Sequence, residues 1–370
     1  MADQNWFEIN DIDKLDTPAL VIYPDRVKQN ISLLTGMIDD VSRLRPHVKT
    51  NKAKEATSLM IQAGITKFKC ATIAEAEMLG TVGAKDALLA YQPIGPKLDR
   101  FIQLTKTYAG TSYSCLIDNI DAATSISEEA LKDNIQIPVY IDLNVGQNRT
   151  GIVPEHALKL YEGCQLLKGI RIVGLHAYDG HLHDADLEIR TLKCNEAYQA
   201  VQELQKAITQ KGYPEPIIVA GGSPTFPIHA KRKEIECSPG TFIYWDRGYS
   251  LLYAEQPFLP AALVVSRVIS LPDETKICID LGHKSVSAEN ELTKRVYFIN
   301  APDLKPIGQS EEHLVLEAGE GHQYKVGDVL YGMPYHVCPT IALYERAITI
   351  EDHQINGEWG NIARDRKITI

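Results

Sequence analysis

Three kinds of residue in this sequence could do chemistry together: a lysine among other cations, loops rich in glycine and hydroxyls, and a histidine two residues from a cysteine. In Arg45-Pro-His-Val-Lys49-Thr-Asn-Lys52, Lys49 is surrounded along the chain by Arg45, His47 and Lys52. Like charges and partial burial disfavour an ammonium, which lowers a lysine's pKa and frees the amine to attack an aldehyde. A solvated basic turn is the other reading of the same residues. The stretch Ile141-Asp-Leu-Asn-Val-Gly-Gln-Asn-Arg149-Thr-Gly151 is too polar and glycine-rich for ordinary packing, and its Arg149 is suited to an anionic oxygen. Two further loops, Ala220-Gly-Gly222-Ser223-Pro-Thr225 and Cys237-Ser-Pro-Gly240-Thr241, combine backbone N–H groups with the Ser223 and Thr241 hydroxyls, a pattern that can cradle a phosphate. His336 and Cys338 would share one face if residues 335–340 were extended. An imidazole beside a thiolate favours zinc, and two ligands leave such a site incomplete, although His-x-Cys also arises by coincidence.

Strands must bring these residues together. Between residues 45 and 244, short apolar runs alternate with longer segments of helical pattern, as in parallel βα units. Eight runs are expected as strands: 44–49, 67–72, 87–91, 112–117, 137–145, 170–179, 217–221 and 235–245. Helical patterns at 74–82 and 185–211 lie between them. The fold class expected is α/β, a (β/α)8 TIM barrel followed by a mostly-β C-terminal domain. An open doubly wound sheet is the alternative, but no G-x-G-x-x-G follows the first strand. In a barrel the working residues gather at the carboxyl ends of the strands, where Lys49, Arg149, Ser223 and Gly240 all fall. Beyond residue 251 the expected strands are 261–270, 276–280, 295–299, 313–317 and 341–350, with a turn at Gln354-Ile-Asn-Gly. The domains read as 17–250 and 251–370, the second joined by residues 1–16.

Composition restricts the class of function. The chain has 370 residues, 44% hydrophobic, with 38 Lys and Arg against 48 Asp and Glu for a net charge of -10. No basic run resembles a nucleic-acid footprint, so a small-molecule substrate is expected and nucleic acid is not. The start of the chain lacks a basic, apolar leader, and no window approaches the ~20 apolar residues of a membrane span. A soluble, cytoplasmic protein with no membrane partner is the expectation. Seven scattered cysteines, an odd number, read as reduced thiols, six of them small hydrophobes.

Taken together, Asp16-Thr-Pro-Ala, Arg45-Pro-His-Val-Lys49-Thr, Asp142-Leu-Asn-Val-Gly-Gln-Asn-Arg149-Thr-Gly, Ala177-Tyr-Asp-Gly-His181, Gly221-Gly-Ser-Pro-Thr and Tyr335-His-Val-Cys-Pro-Thr give the chain a specific resemblance. It resembles the fold-type III pyridoxal-phosphate (PLP) enzymes, and within them the D-serine dehydratase and D-threonine aldolase group. The resemblance implies that Lys49 makes the covalent link to the cofactor aldehyde and serves as the base at Cα. It implies that Arg149 approaches the phenolic oxygen, and that Gly222, Ser223, Gly240 and Thr241 hold the phosphate. Tyr178 and His181 would line the ring and substrate, with Tyr178 and Thr225 as candidates for the pyridine nitrogen. His336 and Cys338 would bind a divalent metal, zinc first, manganese or another ion as alternatives. A metal so held would act as a Lewis acid on the β-hydroxyl of a D-amino acid. Dehydration to a keto acid and ammonia is the reaction expected first, retro-aldol cleavage to glycine and an aldehyde second. A racemase, disfavoured because Ser238 replaces the arginine that alanine racemases place against the ring nitrogen, and a non-catalytic PLP carrier are more distant readings. The family also implies a homodimer in which the β unit of one subunit closes the barrel mouth of the other.

Overall fold

The computed structural model describes residues 5–370. The chain divides into two compact units, one of Leu34–Lys49, Thr57–Gly240 and Asp365–Ile370, the other of everything up to Leu33 with Thr50–Ala56 and Thr241–Arg364. The difference from boundaries at 17–250 and 251–370 has a backbone cause. The chain opens with strand β1 (Ala19–Ile22), whose hydrogen-bonding partners lie in the second unit.

The first unit is built on seven parallel strands in chain order: β2 (Lys67–Cys70), β3 (Asp86–Leu89), β4 (Ser112–Ile117), β5 (Ile137–Asp142), β6 (Ile170–Ala177), β7 (Ile217–Ala220) and β8 (Ile235–Cys237). Residues 44–49 supply the eighth position. They bridge Leu44 to Cys237 on one side and His47 to Lys69 on the other, which closes the barrel. Pro46 has no N–H to give, so this run is not a regular ladder. Its carbonyl still accepts from Lys69 N at 2.9 Å, and Val48 N donates to Lys69 O at 2.9 Å. The expected helices are present as Ile73–Thr81, where Thr72 caps the Glu75 N–H, and Leu187–Gln210, where Asp186 caps two N–H groups. Each such cap contributes ~1 kcal/mol. The expected eighth strand, 235–245, is cut to three residues because Pro239 and Gly240 turn the chain into a short 3-10 turn at Thr241–Ile243.

Inside the barrel, Leu88, Leu116, Tyr140 and Val219 pack as one apolar cluster. At the amino-terminal side of the strands Arg45 is 1% exposed, bonded to Glu236 at 2.8 Å and to Asp86, the first residue of β3. A buried guanidinium is tolerable only with such paired carboxylates.

The second unit adds β9 (Ala262–Ser270), β10 (Lys276–Ile279), β11 (Val296–Phe298), β12 (Lys305–Gln309), β13 (Leu314–Glu317), β14 (Val329–Pro334), β15 (Arg346–Glu351) and β16 (Gln354–Gly360). With β1 they form a nine-stranded sheet in which β1 lies between antiparallel β9 and parallel β15. Phe7, Ile9 and Leu15 pack there against Val21, Leu263 and Tyr331. Of the joining segment 1–16, residues 1–4 lie outside the described residues. The turn expected at Gln354-Ile-Asn-Gly is instead the start of β16. The hairpin turns one step earlier, at Asp352 and His353, both at positive φ (47° and 61°), the conformation that a two-residue turn matching strand twist requires. Among the described residues no helix is long and apolar enough to cross a membrane.

Candidate active site

A cavity of about 250 Å³ opens at the carboxyl ends of the barrel strands. Lys49, Arg149 and Tyr178 line it, as the sequence suggested, together with His47, Lys69, Asp142 and His176. The Arg149 guanidinium lies 5.3 Å from the Tyr178 ring centre and the Lys69 ammonium nitrogen 5.2 Å from it, on the order of cation–π contact. The like-charged neighbour of Lys49 is Lys69. Arg45 is not: its side chain is taken up by Asp86 and Glu236, and Lys52 belongs to the other unit. Asp142 and His176 are register partners on β5 and β6, so their side chains leave the same face, and His176 Nδ1 donates to Asp142 Oδ1 at 2.6 Å. Burial would raise the Asp142 carboxyl, but His176, Thr150 and Lys69 hold it below the usual range. Burial, aided by Lys69, pushes the His176 imidazole down. Burial and Lys49 push the Lys69 amine down to about 7.

The glycine loops follow β7 and β8. Ser223 Oγ accepts from Gly240 N at 3.3 Å, which ties the two loops together. A Cβ on Gly222 would meet Tyr178 Cε2 at 2.8 Å, so only glycine allows this close approach to the ring. These loops and the cationic cavity fit an anionic, aromatic cofactor. His181 does not line the cavity: it follows β6, its Nε2 stands 2.7 Å from where a Cβ would sit on Gly146, and its buried Nδ1 has no partner among the described residues. Thr225 donates its hydroxyl to Asp179 Oδ1 at 2.7 Å, which leaves only its lone pairs for another group. Asp179 Oδ2 also meets His229 Nε2 at 2.8 Å, and Cys194 Sγ lies 3.3 Å from the same nitrogen. These three side chains have metal-ligand types and proximity. Arg232, however, can only donate, and at 2.6 Å it makes His229 Nδ1 an acceptor, so the ring hydrogen is on Nε2 and points to Asp179. The cluster is a satisfied hydrogen-bond network that positions Thr225.

In the second unit residues 335–340 are not extended. His336 caps a short helix, Val337–Ile341, because Pro339 suits the first helical turn and Asp246 Oδ2 accepts the Val337 N–H at 3.0 Å. The pair is nonetheless brought together. His336 hydrogen-bonds Cys338 and, through Nδ1, Glu289. Burial opposes the imidazolium, but Cys338 and Glu289 outweigh it and push His336 up to about 9. Thr50 Oγ1 lies 3.1 Å and Thr241 Oγ1 3.9 Å from Cys338 Sγ. A thiol, an imidazole and a carboxylate orienting its second nitrogen form a donor set suited to a divalent ion such as zinc. The other six cysteines are free and buried.

The family model for the alanine racemase N-terminal domain matches residues 22–248. This chain belongs to the alanine racemase N-terminal domain family. A second model, described as a serine dehydratase domain, matches residues 261–350. Within this PLP-enzyme family, the chain is 26% identical over 360 residues to D-threonine aldolase of an Arthrobacter species, covering 95% of this chain and 93% of the relative. It is 26% identical over 365 residues to D-threo-3-hydroxyaspartate dehydratase of Delftia, covering 89% and 93%. The solved D-threonine aldolase of Filomicrobium marinum shares the fold with a TM-score of 0.87 at 23% identity, covering 95% and 96%. A solved D-threo-3-hydroxyaspartate dehydratase, a cysteine-to-alanine variant in a metal-free form, has a TM-score of 0.83 at 22% identity, covering 94% and 98%. Ser238 is 2% exposed and its Oγ has no partner among the described residues. Sequence reasoning missed Lys69 and the network behind Thr225. A lysine inside the apolar run Phe68-Lys-Cys was the available signal for the first; nothing local linked Cys194 and His229.

Proposed function

We propose that this protein is a PLP- and divalent-metal-dependent lyase acting on D-β-hydroxy amino acids, with dehydration to a keto acid and ammonia as its reaction. The observation that carries the reading is the cavity in which Lys49 faces Arg149 and Tyr178 at the carboxyl ends of the barrel strands. Both 26%-identical relatives are named for cleaving such substrates, which supports the substrate class. In this reading Lys49 binds the cofactor and takes the proton at Cα. Arg149 neutralises an anionic ring oxygen. Tyr178 packs against the ring, with Thr225 able only to accept from the ring nitrogen. Gly222, Ser223, Gly240 and Thr241 bind the phosphate, and His336 and Cys338 ligate the metal, zinc in preference. When bound, PLP supplies an electron sink for charge developing at Cα, and the metal supplies Lewis acidity toward a β-hydroxyl. The barrel, 17–250 in outline, is the cofactor domain and 251–370 the metal-bearing one, in a cytoplasmic homodimer.

Aldol cleavage is the second reading, favoured by the D-threonine aldolase relative that matches 95% of the chain. Incubation with D-serine, D-threonine and D-threo-3-hydroxyaspartate, with and without chelator, separates the two when keto acid and glycine are measured independently. Keto acid is the expected product, absent in Lys49→Ala. Glycine without keto acid would replace dehydration with cleavage, and silence toward every D-amino acid with PLP still bound would leave a carrier.

A further inference from the structure

The cavity holds one more cation than the proposed chemistry uses. Lys49, Lys69 and Arg149 all line it, against a single carboxylate, Asp142, which His176 and Thr150 already engage. Lys49 is assigned to the covalent link and Arg149 to the ring oxygen. Lys69 has no task. It is 3% exposed, and among the described residues no carboxylate forms an ion pair with it. Among the described residues the hydrogen-bond partner of its amine is His176 Nε2 at 3.4 Å. That nitrogen must accept, since Nδ1–H is donated to Asp142, so the relay directs one N–H of Lys69 across the barrel and leaves the rest of the amine to the cavity. A buried cation without an anion is unstable unless an anion arrives or the proton leaves.

We propose that Lys69 is a second oxyanion-binding residue of this cavity, whose amine takes up a proton from solvent when an anionic oxygen docks and releases it when that oxygen departs. The oxyanion is the ring oxygen of the cofactor or the carboxylate of the substrate; both present the same chemistry. The proposal rests on the reading that PLP is held at Lys49. The groups facing the amine are Lys49 and Arg149, which oppose its charge, Asp142 and Asp179, which favour it, and His176, Tyr178 and the register neighbour His47. Together with burial these push the amine down to about 7. One added negative charge tips it to the ammonium, so binding and protonation are a single event.

Proton uptake measured with a pH indicator in weak buffer tests this. In one arm PLP is added to cofactor-free protein, in the other D-serine to the PLP-loaded protein, each for wild type, Lys69→Met and Lys69→Arg. Wild type minus Lys69→Met should give about one proton per chain at pH 8 in one of the two arms, and that arm identifies the oxyanion. Lys69→Arg, charged throughout, should bind the same ligand without that uptake. Competitive acetylation of Lys69 in the wild-type protein across pH is an independent readout. Its midpoint should lie near 7 in the free protein and move upward in the arm that takes up the proton. Equal uptake by wild type and Lys69→Met in both arms, or a midpoint that no ligand moves, overturns the proposal. Borohydride fixation followed by peptide mass spectrometry reports separately whether PLP is on Lys49. If it is not, the reading of the cavity fails, and the role of Lys69 with it.

Discussion

Burying Lys69 works against folding, and the direction fixes a pH dependence. An unfolded lysine titrates at 10.5 and this one at about 7. Between those values the unfolded chain binds more protons than the folded one, so this residue makes stability rise with pH. Below about pH 7 both states are charged and the destabilisation is complete; above 10.5 both are neutral and it vanishes. Lys69→Met should therefore stabilise the cofactor-free protein by roughly 2–5 kcal/mol at pH 6–7, with the gain shrinking toward pH 10. Denaturant melts of both proteins at several pH values check this, and a gain that ignores pH would show that packing, not charge, decides it. A destabilising side chain at a strand end facing a cavity is the usual mark of function over stability. At this scale Lys49, Arg149 and Tyr178 were legible, because a strand end preceded by an apolar run predicts which residues reach the barrel mouth. Lys69 was not, because its direction follows from its register with His47, 22 positions earlier.

Among the elements, the short helix Val337–Ile341 decides how the imidazole and the thiol stand. Asp246 accepts from both Val337 N and Tyr249 N, so one carboxylate starts two helices. Cys338→Ala removes a ligand from the first turn but leaves those caps and the barrel cavity intact. Turnover should fall by about a hundredfold or more, while PLP absorbance and melting temperature change little, since a positioned Lewis acid contributes several kcal/mol at the transition state. Chelation should reproduce the loss. A coupled drop in melting temperature and PLP content would instead mark a structural metal. Strand periodicity located most of the barrel elements, and helix caps at Thr72 and Asp186 agree with it. It missed β12, β14 and β16, and the helix at 337–341, because strands of an antiparallel sheet and single turns take their form from neighbours more than from their own pattern.

For the molecule as a whole, a barrel mouth lined by Lys49, Lys69 and Arg149 is open to water unless something covers it. A homodimer is expected, since symmetric two-fold dimers are the commonest oligomers. Light scattering at working concentration should return twice the 41.2 kDa of the chain. A fully active monomer would contradict it. The alternation of strand and helix made the barrel readable from the sequence; the place of β1 was not, since four apolar residues carry no record of partners more than two hundred residues away. That strand has a consequence for how the protein is made. β1 leaves the ribosome before any residue of the barrel sheet, yet both strands that flank it, β9 and β15, emerge only after that sheet is complete. Domains generally fold in the order of synthesis, and pairings distant in sequence form slowly. The nascent chain thus carries an unpaired apolar strand throughout elongation of the barrel, and the sheet around β1 closes only once β9 and β15 follow.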